Sequence, residues 1–331
     1  MDNFFSIYPR KNTPVKIVKN DIYVPELVDK FMLAFDYIDK KKKKITEITS
    51  RTDDYKYFTV PAPIGWYMSE KFDGQRALWD GEKFVTRGNS FSLPRVYPYV
   101  PKWFIALMPP GIALDGEFYI SRNSFQDLGF LKSKIKKDED IPFLDKKWVN
   151  IIYQVFDTPA PYGELPFEER MEKLSEIIYS RTKIWNIKKT NKCPMVMTKQ
   201  IKITSEEQIN NFYTDIVSQG AEGVMIRAPK IKYIPKRTRL MLKLKPEEEA
   251  ECKVIGYKDG ELKYKGMLGS FHCEMIPSGK TFYLSGMNDS LRKNYLKEVP
   301  LGTIITYKYS FLTNEGIPRH PRFKNVRWEF N

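Results

Sequence analysis

The 331 residues carry 55 Lys and Arg against 41 Asp and Glu, a net charge of +14, with 42% hydrophobic and 14% aromatic residues. That composition excludes a disordered chain, and the length is generous for one core and comfortable for two. No apolar run approaches the roughly 20 residues of a membrane span, and the start, MDNFFSIYPRKNTPVK, lacks the basic-then-apolar pattern of an export signal, so an intracellular protein is expected.

The charge is unevenly spread. Residues 59–245 hold +9, against +3 before them and +2 after. A basic excess suits either a solvated surface or a polyanionic partner, nucleic acid above all. Cys193, Cys252 and Cys273 are odd in number and widely spaced. They read as reduced packing residues, not as disulfides or zinc ligands.

In chain order, residues 1–58 read as a basic, helical N-terminal extension. Val28, Phe31, Met32, Phe35 and Ile38 fall at helical spacing. Lys40 to Lys44 follow, as a solvated helix end or a phosphate-backbone contact. PAPIGWY marks a Pro-rich junction. GWYMSEK, ALWDGEKFVTR and IALDGEFYI then predict strands, with Asp80-Gly81 at a hairpin turn. VNIIYQVFDT is apolar enough for a strand buried on both faces. PFEERMEKLSEIIYS predicts a helix with Pro166 in its first turn. TSEEQINNFYTDIVSQG predicts another, capped by Thr204 or Ser205 and ended by Gly220. AEGVMIRAP and LMLKLK are strands again. After residue 245 the pattern becomes short strands with turns at Asp259-Gly260 and Ser278-Gly279, as in a small antiparallel barrel. The reading is a mixed domain over 59–245 and an all-β domain over 246–331, with a binding cleft expected between them.

Several polar clusters interrupt these strands: Lys71-x-Asp73-Gly74-x-Arg76, Arg87, Asp115-Gly116-Glu117, Phe156-Asp157, Glu222-Gly223-x-x-x-Arg227 and Lys243-x-Lys245. Singly, each has a plain explanation as a turn or a solvated face. Together they ask for more. Two lysines on one face of an apolar strand cost energy unless an anion lies between them. A phosphate supplies that anion. Glu117 and Glu222, also inside apolar strands, suit a ribose hydroxyl or a metal ion. No Gly-rich lysine loop of the Walker type is present.

The motif K-F-D-G-Q-R at 71–76 resembles the active-site motif of the covalent nucleotidyltransferases: ATP-dependent DNA ligases, RNA ligases and mRNA capping enzymes. LDGEF, VFD, EGVMIR and LKLK follow in the family's order. The sequence from KYKGMLGSFHCEM to FKNVR is similar to the oligonucleotide-binding (OB) barrel of the smallest bacterial and viral DNA ligases, with PRHPRF where that group has P-R-F-P-x-F. The resemblance covers about 60–331. It implies an α+β fold, a nucleotidyltransferase domain of ATP-grasp-like, antiparallel-sheet type followed by a small OB barrel. It also implies an ATP-dependent DNA ligase that carries AMP on a lysine, passes it to the 5′-phosphate of a nick, and seals the strand with the 3′-hydroxyl. RNA ligase or capping activity, or a non-catalytic nucleic-acid-binding protein, are the alternatives.

Roles follow from the resemblance. Lys71 is the nucleophile, its basicity lowered by burial and by the cations Lys243 and Lys245. Those two lysines also face the α-phosphate. Asp73 and Glu222 support Mg²⁺, for which Mn²⁺ can substitute. Glu117 takes a ribose hydroxyl, Phe156 stacks on adenine, and Glu70 faces the base edge. Arg76 and Arg87 hold nick phosphates, and Arg237 lies near the triphosphate. Arg319 and Arg327 orient the leaving pyrophosphate. The expected partner is nicked duplex DNA, the expected state a monomer away from membranes. Only a short hairpin, with no DNA-encircling insertion, is expected in the barrel.

Overall fold

The structure is a computed structural model that describes residues 32–36, 63–87, 94–135, 137–188 and 192–327. The chain forms two compact units, 1–244 and 245–331. Among the described residues no helix is long and apolar enough to cross a membrane.

The first unit contains strands β1 (Leu33–Asp36), β2 (Tyr67–Lys71), β3 (Gln75–Trp79), β4 (Phe84–Thr86), β5 (Ala113–Tyr119), β6 (Ile152–Ala160), β7 (Met195–Met197), β8 (Ile201–Lys202), β9 (Gly223–Arg227) and β10 (Arg237–Leu244). Its helices are α1 (Lys102–Ile105), α2 (Asp140–Trp148), α3 (Phe167–Lys188) and α4 (Glu206–Ser218). Two five-stranded sheets result, ordered β1-β10-β9-β2-β8 and β4-β3-β5-β6-β7. Most neighbours are antiparallel; β1 runs parallel to β10 and β7 to β6.

Alternation along the strands sorts the side chains. In the first sheet Met68, Val224, Ile226 and Leu242 pack with Ile209 and Ile216 of α4. In the second, Ala77, Phe118, Tyr153 and Val155 join Phe104, Trp148 and Leu174 in the largest core. Each sheet thus buries one face under helices, which leaves the other face of each for polar residues. The caps follow the sequence: the Ser205 hydroxyl accepts from Gln208 N at 3.1 Å, and Gly220 ends α4 with φ +87°.

The helix expected over 28–38 is replaced at Leu33–Asp36 by β1. Met32 is 1% exposed and Ala34 8%, so alternate residues point inward. A short apolar run fits either period, and the open edge of β10 selects the strand. Lys40 to Lys44 and the rest of the N-terminal extension lie outside the described residues. α2 was also not anticipated, although Leu144 and Trp148, four apart, supply its buried stripe.

The second unit contains β11 (Glu248–Asp259), β12 (Leu268–Met275), β13 (Thr281–Leu284), helix α5 (Asp289–Glu298), β14 (Ile304–Tyr309), β15 (Phe311–Leu312), β16 (Pro318–Arg319) and β17 (Arg322–Val326). Its antiparallel sheet runs β13-β12-β11-β14-β17, with β15-β16 as a separate pair. The expected barrel is not closed by a ladder among the described residues. One isolated bridge, Ser285 to Arg322, links the ends of the outer strands. With four residues in β13 and five in β17, little backbone is available for further pairing. Residues 260–267 join β11 to β12 through one 3₁₀ turn, Leu262–Tyr264. α5 was not anticipated; its signals are the Asn288 cap, which accepts from Leu291 N at 2.8 Å, and Leu291, Tyr295 and Val299 at four-residue spacing, all in the core. All three cysteines are buried thiols without a disulfide.

One buried ionic group ties α3 to β6 and β9. Arg170 donates to both oxygens of Asp157 at 2.7 and 3.0 Å and to the carbonyls of Leu165 and Ile231. Arg227 reaches the same carboxylate at 2.6 Å. Burial works against the Asp157 charge, and the two guanidiniums more than restore it, so its pKa is lowered. Arg170→Ala is expected to destabilise the first unit by about 3–5 kcal/mol, because it removes a partner from a buried charge. Urea unfolding of the two proteins measures the difference.

Candidate active site

Strand register assembles the site. Lys71 is paired with Gly223, and Ser69 with Met225, which is also paired with Lys243. Residues directly opposite on neighbouring strands share a face. Lys71, Ser69, Met225 and Lys243 therefore occupy the face turned away from α4. The Lys71 ammonium lies 2.5 Å from Glu222 Oε2, with the lysine side chain 19% exposed and the glutamate 8%. Burial is the largest single influence on Lys71 and pushes its pKa down; Glu222, then Glu117 and Asp73, push it up, and the net shift is upward.

This differs from the expectation of a lysine surrounded by cations. The groups that dominate around Lys71 are carboxylates, and they hold it as an ammonium. The sequence placed Lys243 on the correct face but could not show that Glu222 comes nearer.

The second sheet supplies Glu117. The turn after Lys71 lies directly on β5: a Cβ on Gly74 would overlap the Phe118 carbonyl oxygen and sit 2.7 Å from Glu117 Cγ. Gly74 is thus needed for close approach. Gly116 has the same reason, since a Cβ there would meet the Tyr153 ring at 2.5 Å and Gln154 O at 2.6 Å. Asp115-Gly116 accordingly lies mid-strand, as the strand expected over IALDGEFYI requires. Burial pushes Glu117 up to about 7; Lys71 opposes that shift and Glu222 adds to it.

Arg76 is paired with Glu117 across β3 and β5. Its guanidinium donates to Asp115 at 2.7 and 2.5 Å and to the Met32 carbonyl at 3.2 Å, and it lies 4.9 Å over the Phe156 ring. Tyr233 also donates to Asp115, at 2.7 Å. Arg76 is therefore built into a buried ion pair, where a surface phosphate grip was expected. Arg87 is exposed; desolvation, then Arg76 and Arg237, disfavour its charge and lower its pKa. Three neighbouring guanidiniums of this kind suit an anion. Arg237 also donates to the Ala34 carbonyl, which ties β10 to β1.

Glu70 points to the opposite face from Lys71. Both its oxygens accept from Arg122, at 3.0 and 2.9 Å, in place of the expected base edge. Lys245 begins the second unit, to which Arg319 and Arg327 also belong. Arg327 is ion-paired with Glu251. The structure thus brings together Lys71, Asp73, Arg76, Glu117, Phe156 and Glu222, with Lys243 on the same sheet face. Sequence reasoning missed Arg122, Arg170 and Tyr233. Arg170 carried a usable signal, a charged residue four positions before the apolar Leu174 inside a helix stripe.

A mostly buried lysine is thus held by clustered carboxylates beside a strand-borne glutamate and phenylalanine, the arrangement expected of a covalent nucleotidyltransferase. Comparison with known proteins agrees. The family described as the ATP dependent DNA ligase domain matches residues 38–245, and the DNA ligase OB-like domain matches 259–327. A DNA ligase from Haemophilus influenzae is 31% identical over 255 residues, covering 77% of this chain and 84% of that protein. A DNA ligase from Archaeoglobus fulgidus is 28% identical over 219 residues, of which this chain spans only 37% of the length. A solved Lig E DNA ligase, from work on DNA binding with a minimal scaffold, superposes with a TM-score of 0.70 at 26% identity, covering 91% of this chain and 100% of that one. The chain belongs to the ATP-dependent DNA ligases, with a nucleotidyltransferase domain followed by an OB-like domain.

Two outcomes follow from the geometry. Gly74→Ala displaces the Lys71 turn from β5, and AMP transfer is expected to fall about 100-fold, the scale of an ångström-sized misplacement. Single-turnover labelling with ATP measures it. The raised pKa of Lys71 keeps the neutral amine scarce near neutral pH. Its fraction grows as pH rises, so an AMP transfer that uses the Lys71 amine should still be climbing in kcat/KM at about pH 9. A plateau near neutrality would contradict the carboxylate-held ammonium.

Proposed function

We propose that Lys71 is the nucleophile of a three-step nick-sealing reaction. Its Nζ, once deprotonated, attacks the α-phosphorus of ATP; an N–P bond forms and pyrophosphate leaves. The nick 5′-phosphate then takes the AMP from Lys71, and the 3′-hydroxyl displaces AMP as the phosphodiester forms. The observation that carries this reading is the Lys71–Glu222 contact at 2.5 Å, with Glu117 and Asp73 adding to the same field.

In this reading Glu222 holds Lys71 charged and in place until ATP arrives. Asp73 and Glu222 would be the groups to hold a cation that accompanies the triphosphate, and Lys71 gives up its proton only as the hold of Glu222 on it weakens. Among the described residues no three acidic, His or Cys side chains form a complete metal cage. An all-oxygen pair, Asp73 and Glu222, still fits Mg²⁺ or Mn²⁺, since Mg²⁺ is commonly held by one or two carboxylates plus substrate phosphate. Such an ion would supply charge neutralisation on the phosphates and the leaving pyrophosphate.

Glu117, as carboxylate, accepts a ribose hydroxyl. Phe156 stacks on adenine with one face braced by Arg76. Lys243 and Lys245 stabilise charge on the α-phosphate, Arg237 serves the triphosphate, and Arg87 a nick phosphate. Arg319 and Arg327 serve the pyrophosphate in the first step. A monomer, working inside the cell on nicked duplex DNA, completes the proposal.

Radiolabelled ATP should place AMP on the wild-type protein and not on Lys71→Ala, which should also fail to seal a nicked DNA duplex. Labelling of Lys71→Ala equal to wild type would refute the assignment. Because burial pushes Glu117 up to about 7, AMP transfer should fall more steeply with acidification below that value than above it, and Glu117→Gln should remove the extra steepness while lowering the rate at higher pH. A pH series of initial rates for both proteins checks it.

A further inference from the structure

The polar clusters of the motifs leave out Arg122, which lies just past the end of β5. Its Nε and Nη2 donate to the two oxygens of Glu70 at 3.0 and 2.9 Å, and its Nη1 donates to Gln219 Oε1 at 2.7 Å. Gln219, the residue that ends α4, in turn donates to Asp215 at 2.8 Å. Neighbouring packing repeats these ties. A Cβ on Gly220 would lie 2.8 Å from the Asn123 side-chain nitrogen, so the loop after β5 rests on the turn before Glu222. Phe72 meets Tyr119 of β5 with ring centroids 5.0 Å apart.

Lys71 is therefore bracketed. The residue before it is held by Arg122 and the residue after it by Tyr119. Arg122 connects three elements that bear working groups: β2 with Lys71, β5 with Glu117, and the α4–β9 turn with Glu222. The Arg122–Glu70 pair is 27% and 20% exposed, and ion pairs with that much solvent contact contribute little to stability. A planar, bidentate guanidinium fixes direction as well as distance. The geometry suits alignment of the lysine better than it suits holding the fold.

We infer that Arg122, acting through Glu70, is a positioning residue for AMP transfer to Lys71. It sets where Lys71 Nζ sits relative to Glu117 and Glu222, and it touches neither nucleotide nor DNA. This rests on Lys71 being the nucleophile. Arg122 should matter for the step in which Lys71 attacks, and little for sealing of a DNA nick that is already adenylated, because that step does not use Lys71 as nucleophile.

The test compares wild type, Arg122→Ala, Arg122→Lys, Glu70→Gln and the Arg122→Ala/Glu70→Gln double variant in single-turnover labelling across ATP concentrations. Each is also assayed for sealing of a synthetic pre-adenylated nick and for its urea midpoint. Arg122→Ala should slow labelling at saturating ATP by about tenfold or more, with the half-saturating ATP concentration and pre-adenylated sealing within about threefold of wild type. Arg122→Lys should remain slow, since an ammonium cannot make the paired contacts. The double variant should be no slower than the slower single, as expected of two residues acting as one unit. Labelling by Arg122→Ala at the wild-type rate overturns the inference. So does a parallel loss of labelling and pre-adenylated sealing, or multiplicative losses in the double variant. Absence of AMP from wild-type Lys71 defeats the nucleophile assignment itself, a failure visible before any variant is compared.

Discussion

The contact between the Lys71 ammonium and the Glu222 carboxylate sets the terms for the rest of the first unit. Burial alone would push the Lys71 ammonium toward its neutral form. Glu222, 2.5 Å away, together with Glu117 and Asp73, more than offsets that and keeps the lysine charged. The pairing requires β2 and β9 to be neighbours with Lys71 opposite Gly223. It also requires the α4–β9 turn to deliver Glu222 at the strand's entrance. The same carboxylate that stabilises the Lys71 ammonium opposes its deprotonation.

Around that pair the protein uses ionic groups in two distinct ways. Asp157 and Asp115 are saturated by arginines and hydroxyls: Arg170 and Arg227 on one, Arg76 and Tyr233 on the other. These contacts fix the polar face of the second sheet and brace Phe156. Glu117 and Glu222 both act on Lys71, and burial drives Glu117 up to about 7. The saturated aspartates belong to the frame, and a carboxyl perturbed as Glu117 is belongs to the kind of group that functional sites hold.

The extent to which this was legible in the sequence follows from what each signal encodes. The strands of the motifs were readable because alternation and Gly-containing turns are local, and five motifs in order identify a family. Local signals make IALDGEFYI a strand but do not show why Gly116 is glycine: the Tyr153 ring across the sheet, 37 residues away in the sequence, leaves no room for a Cβ. Where β1 forms, the sequence predicts a helix, because four strand residues cannot override the apolar spacing of a longer window. Glu70 looked like a base-facing group, and only the tertiary structure shows Arg122 occupying both its oxygens. The cation-rich surroundings expected for Lys71 were inferred from chain position, which cannot rank distances among Lys243, Glu117 and Glu222.

The charge that Lys71 carries at rest is the property on which the geometry of the site turns. An NMR titration of the Lys71 Cε signal in the free protein, beside that of Glu222→Gln, reads it directly. The wild-type lysine should titrate above the ordinary lysine value of about 10.4, and loss of the Glu222 charge should bring it down. A wild-type Lys71 that titrates near neutrality, or that ignores the Glu222→Gln change, would contradict a carboxylate-held ammonium at this position.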